Sequence, residues 1–73
     1  MKILPEAPTD YRYIRAWGRL LHSHASYIQD QIRHARADGA PQTAIYVDSN
    51  GKWRTVDDVT NTSTRRQLRE MTS

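Results

Sequence analysis

The chain has 73 residues, 37% of them hydrophobic, with 11 Lys+Arg against 8 Asp+Glu, a net charge of +3 and no cysteine. That length allows one small domain whose core has little margin without a disulfide, a metal or a partner. The lack of cysteine excludes disulfides and thiolate zinc sites and points to a reducing, cytosolic setting.

Nine of the eleven cations are arginine. The planar guanidinium suits paired contacts with carboxylates or phosphates, so acidic protein and nucleic acid are both candidate partners. No stretch approaches the roughly 20 apolar residues of a membrane span, and the start MKILPEAP lacks the apolar run of a secretory signal.

Pro5 and Pro8 make residues 1–8 an extended lead-in. Thr9 or Asp10 then supplies a helix N-cap, and Gly39-Ala40-Pro41 supplies the stop. Between them, Ile14, Trp17, Leu21, Ala25, Ile28, Ile32 and Ala35 recur at spacings of three or four, which predicts one long amphipathic helix over about 10–37. Tyr13, Leu20 and Tyr27 widen its apolar stripe on one flank. Gly18, in the middle of that helix, costs about 1 kcal/mol against Ala and implies close packing or a bend. Arg12, Arg15, Arg19, Arg33 and Arg36 fall on the far side and make a cationic face interrupted only by Asp30. Charges opposite an apolar stripe are what any solvated helix carries; the sharper reading is a surface for acidic protein or RNA.

From about 43 to 56 the period becomes two, and AIYVDSNGKWRTV reads as a β-hairpin. A two-residue Asn50-Gly51 turn would put Trp53 on the face of Tyr46. A three-residue Ser49-Asn50-Gly51 loop, with Gly51 left-handed, instead pairs Val47 with Trp53 and Ile45 with Thr55. The second gathers Ile45, Val47 and Trp53 on the buried face and is preferred, leaving Tyr46, Arg54 and Val56 on the other. Residues 59–73 are polar, with Val59, Leu68 and Met71 the only large apolar side chains, and read as a basic tail, either disordered or a short helix. The expected fold is therefore α+β: one long helix on a hairpin within residues 1–58, followed by the tail.

The chemistry-bearing residues do not assemble into a catalytic motif. His22 and His24 are two positions apart, which on a helix turns their imidazoles to opposite sides and defeats chelation; His24 lies near the apolar stripe as a partly buried side chain. No glycine-rich phosphate loop or nucleophile elbow occurs, and Asp57-Asp58 reads as a strand end. The expectation is a non-enzymatic protein without cofactor or metal. Trp17 and Trp53 are read as core anchors rather than base-stacking platforms, since no nucleic-acid-binding signature accompanies them. An uncovered hairpin offers its edges to an extended peptide, with Ile45, Tyr46, Val47, Trp53 and Arg54 as the candidate partner-binding residues.

The opening MKILPEAPTDYRYIRAWGRLL, the cysteine-free length and the ending RRQLREMTS together resemble the small RNA polymerase regulators carried by lytic Xanthomonas phages. The resemblance spans the chain and implies a protein of the host cytoplasm that takes part in host takeover. It implies binding to host RNA polymerase at the amino-terminal region of the largest subunit, near the RNA exit channel. It further implies inhibition of initiation through interference with the sigma factor and antitermination at intrinsic terminators in concert with NusA; contact with nascent RNA is an expectation from the arginine face. The alternative class is a small basic nucleic-acid-binding protein.

Overall fold

The structure is a computed structural model that describes residues 10–73. Its elements run α1 (Arg12–Leu20), α2 (Ala25–Asp38), β1 (Ala44–Val47), β2 (Trp53–Thr55), a 3₁₀ turn (Val56–Asp58) and α3 (Thr62–Thr72). The α+β class is as expected, but the single long helix is not: three helices accompany the hairpin.

The expected helix over 10–37 breaks after Leu20. His22 takes a left-handed conformation (φ 56°), its N–H donates to the Arg19 carbonyl at 3.2 Å, and the Ser23 N–H donates to the Gly18 carbonyl at 2.8 Å. This pair of bonds is a Schellman ending, usually built on glycine; histidine is among the side chains that tolerate the left-handed region best. The apolar spacing runs through the break in phase, which is why periodicity alone joined the two helices. After the break the chain reverses, and the two helices pack against each other with Gly18 facing Ile28. A Cβ at Gly18 would lie 2.5 Å from Ile28 Cγ1. Close packing, one of the two roles the sequence suggested for this glycine, is what it serves.

The other ends of the pair are joined by Tyr11. Its hydroxyl donates chiefly to the Ala40 carbonyl at 2.9 Å, with the Ala35 carbonyl a longer second acceptor at 3.3 Å, which ties the start of α1 to the end of α2. Gly39 (φ 64°) ends α2 as the sequence predicted, with the Ala40 N–H donating to the Ala35 carbonyl at 2.9 Å. The start of α1 differs from expectation. Tyr11 itself occupies the N-cap position with φ 48° and no side-chain cap, and the Asp10 carboxylate accepts instead from Arg12 Nε. Thr9 and the expected lead-in lie outside the described residues.

The hairpin has the three-residue loop. Gly51 is left-handed (φ 80°), its N–H donates to the Asp48 carbonyl, and Val47 pairs with Trp53. The expected pairing of Ile45 with Thr55 is not formed. A bulge lies between Ala44 and Tyr46, so that Ala44 pairs with Thr55. The extra residue lets Ala44 and Ile45, adjacent in sequence, both be buried, on different parts of the core. Val56, assigned to the outer face by simple alternation, is fully buried because the strand turns there into the 3₁₀ segment.

Of the two alternatives for the basic tail, the helix is the one formed: residues 62–72 make α3. Asn61 caps it, its side chain accepting from the Thr64 N–H at 3.0 Å, and Leu68 is 0% exposed. One leucine suffices because α1 meets it with Ala16 and the half-buried Tyr13, Trp17 and Leu20, alongside Ile45, Val56 and Val59. The opposite side of α1 supplies Tyr11 and Ile14 to a second cluster with Ile32, Ala35, Ala40 and Ala44, closed by Ile28 and Trp53. Thus α1 is the central element, burying residues on two sides. Burial of Ile32, Val56 and Leu68, the largest fully buried side chains, contributes on the order of 1.5–3 kcal/mol each.

Candidate functional site

The hairpin loop is organised by Asp48. Its carboxylate accepts from the Asn50 N–H (2.9 Å), the Lys52 N–H (3.0 Å) and Arg54 Nε (2.9 Å). These donors, the Lys52 amide foremost, hold the Asp48 pKa below the usual aspartate value despite partial desolvation. At the other end of β2, the Thr55 N–H and hydroxyl both donate to Asp58 (2.9 and 3.3 Å), and the Thr55 amide is the main cause of a lowered Asp58 pKa. Two carboxylates thus fix the ends of β2 through backbone amides.

Of the five residues expected to bind a partner, Ile45 is buried at 2% exposure and faces Ala16, Val56 and Leu68. Trp53 is half-buried, packing against the α1–α2 cluster, and its Nε1–H donates to Asp38 Oδ2 at 2.9 Å, which pins the hairpin to the end of α2. Arg54 is held by Asp48. Tyr46 is 38% exposed and stacks on Trp17, with ring centroids 5.6 Å apart and planes inclined by 26°. Val47 is half-buried. The side chains offered outward are therefore chiefly Tyr46 and part of Val47, while Ile45 and Trp53 support them from below.

The backbone edge adds to this surface. The Asp48 N–H donates to the Lys52 carbonyl at 2.9 Å, so the next pair in an antiparallel ladder, Val47 and Trp53, turns its polar groups away from the partner strand. Among the described residues no third strand pairs with either edge. Asp58 occupies the Thr55 amide of β2 and the Pro41 carbonyl occupies the Ala44 amide of β1, so each edge is blunted at one end; β1 is the candidate template for an added strand because it carries the exposed Tyr46.

The arginines divide between two helices. Arg12, Arg15 and Arg19 are exposed along α1, whereas Arg33 and Arg36 are exposed on α2. Arg15 and Arg19 border a groove with Ala25, Ile28 and Gln29 of α2, and Arg33 and Arg36 lie one and two turns beyond Gln29 on that helix. The reversal at His22 therefore sets two short cationic rows side by side where one continuous face was expected. Arg33 pairs with Asp30.

No protein-family model, curated protein or solved structure matches the chain. No helix among the described residues is long and apolar enough to cross a membrane. His22 and His24 are both exposed, His24 as the N-cap of α2 rather than partly buried, and no described group of His, Asp and Glu has the geometry to hold a metal ion.

Sequence reasoning missed the Trp17–Tyr46 stack, because it assigned the tryptophan to a covered stripe and the tyrosine to an open face. The bulge at Ile45 brings them together, and a bulge leaves no compositional signal.

Proposed function

We propose that this chain is a non-enzymatic regulator that binds the RNA polymerase of a bacterial host. The observation that carries the reading is the outer edge of β1, which no strand among the described residues pairs with, flanked by the exposed Tyr46, on a domain with little core of its own. An extended segment of a partner would gain backbone hydrogen bonds there, with the ring of Tyr46 and the side chain of Val47 supplying specificity.

The whole-chain likeness to the small polymerase regulators of lytic Xanthomonas phages selects the partner. In this reading the amino-terminal region of the largest polymerase subunit adds to the β1 edge near the RNA exit channel. The bound protein interferes with the sigma factor during initiation and, together with NusA, promotes readthrough of intrinsic terminators.

Capture from nuclease-treated host lysate tests the reading. RNA polymerase is expected to be retained, and addition of the subunit's amino-terminal fragment to labelled protein is expected to shift amides 43–47. Loss of every partner on nuclease treatment, or unshifted strand amides, would contradict it.

A further inference from the structure

Arg12, Arg15 and Arg19, at spacings of three and four, form a row about 10 Å long on the exposed side of α1. The row stands between two grooves. On one side, Arg12, Arg15, Ala16 and Arg19 face Met71, Thr72 and Ser73 of the α3 end across a groove of about 210 Å³. On the other, Arg15 and Arg19 face Ala25, Ile28 and Gln29 across one of about 260 Å³. Among the described residues, no acidic side chain lines either groove.

Among the described residues, only Arg12 of the row has a carboxylate partner, Asp10 at 3.1 Å. Arg15 Nε donates to the Asp10 backbone carbonyl at 3.1 Å, which orients the guanidinium without neutralising it, and Arg19 forms no ion pair among the described residues. Helix ends account for part of this charge, since α1 and α3 both terminate near the row. Each such end carries roughly −0.5 elementary charge, about −1 in all. With Asp10 offsetting Arg12, a net charge of roughly +1 remains on the ridge, carried by Arg15 and Arg19.

We propose that this ridge is a binding site for the phosphodiester backbone of single-stranded nucleic acid. Arginine meets phosphate oxygens in pairs, and a row of cations along a helix faces a chain that carries one charge per unit. The groove walls alternate the cations with apolar Ile28 and the exposed Met71, and with the neutral Gln29 and Thr72, which suits sugars and bases lying between phosphates. No side-chain array for reading base edges accompanies the ridge, so binding is independent of sequence.

The test is fluorescence anisotropy of a labelled 12-nucleotide uridine oligomer with the full chain and no polymerase present, which keeps the result separate from the polymerase reading. Three phosphate contacts give a log–log salt slope of about −2, a loss of about 20-fold in affinity between 50 and 200 mM salt. The Arg15→Glu/Arg19→Glu variant is expected to bind at least tenfold more weakly with a slope nearer −0.7, while Arg66→Gln on α3 binds like the parent. Arg15→Gln/Arg19→Gln, with its tryptophan emission unchanged, gives the same ranking should charge reversal perturb the fold. Three results would overturn the assignment: no binding at 50 mM salt, equal losses in Arg66→Gln, or displacement of the oligomer by polyglutamate at matched charge. The last would assign the ridge to acidic protein.

Discussion

The indole of Trp17 on α1 lies against the phenol ring of Tyr46 on β1, with centroids 5.6 Å apart. The contact joins the central helix to the outward side of the hairpin, so the most exposed aromatic of the candidate surface is also a fold contact. Stacked pairs of this kind contribute about 0.5–1.5 kcal/mol beyond burial. Tyr46→Leu is therefore expected to lower the unfolding free energy by about 1 kcal/mol and to shift Trp17 emission. An unchanged denaturation midpoint and emission spectrum would mean that the rings do not stack in solution.

Gly18 permits the close approach of α1 and α2. Alanine there gains about 1 kcal/mol of helix propensity, but its methyl must displace Ile28 Cγ1 and Cδ1 from 2.5 and 2.6 Å. Isoleucine is stiff at χ1, and overpacking of this kind costs about 1–3 kcal/mol. Gly18→Ala is expected to be net destabilising in urea titrations, and Gly18→Ala/Ile28→Ala to lose less than the sum of its parts. Stabilisation by Gly18→Ala alone would point to an uninterrupted helix.

Leu68 decides whether α3 belongs to the fold. A fully buried leucine costs about 2–5 kcal/mol when cut to alanine, comparable with the whole stability of a domain this small. Circular dichroism and tryptophan emission should show Leu68→Ala substantially unfolded at room temperature. A variant that melts like the parent would favour the disordered alternative for the basic tail.

Asp48 and Asp58 both have folded-state pKa values below the ordinary 3.8, through the amides of Lys52 and Thr55 respectively. A lowered folded pKa contributes stability that is present above the unfolded value and is lost as pH falls through the folded one. Thermal stability is expected to hold from neutral pH down to about 4 and to fall below it. The deficit of Asp48→Asn relative to the parent should narrow between pH 6 and pH 2.5. A constant deficit would show that the Asp48 charge is irrelevant and only its shape matters.

Local chemistry made part of this structure legible. Asn50-Gly51 located the hairpin loop, burial chose its register at Val47 and Trp53, and Gly39 ended α2, because each needs a conformation that few residues supply. The break at His22 was hidden: Leu21, Ala25 and Ile28 keep helical spacing across it, although Leu21 and Ala25 end up exposed. Gly18 carried the signal, as a mid-helix cost that close packing or a bend explains. The third helix was left open against disorder for another reason. It buries one large side chain of its own and takes the rest of its apolar environment from α1, which a window of sequence does not contain. At the candidate surface, Tyr46 was legible from alternation, but the burial of Ile45 and Val56 required the bulge and the turn that follows β2.

The most direct measurement is retention of bacterial RNA polymerase from nuclease-treated lysate by the parent chain and by Val47→Pro. Proline removes the outward N–H of β1 but no bond to β2, and edge positions tolerate it. The parent should retain polymerase and the variant, with unchanged circular dichroism, should lose most of it. Equal retention by the folded variant, or none by the parent, would contradict binding through the β1 edge.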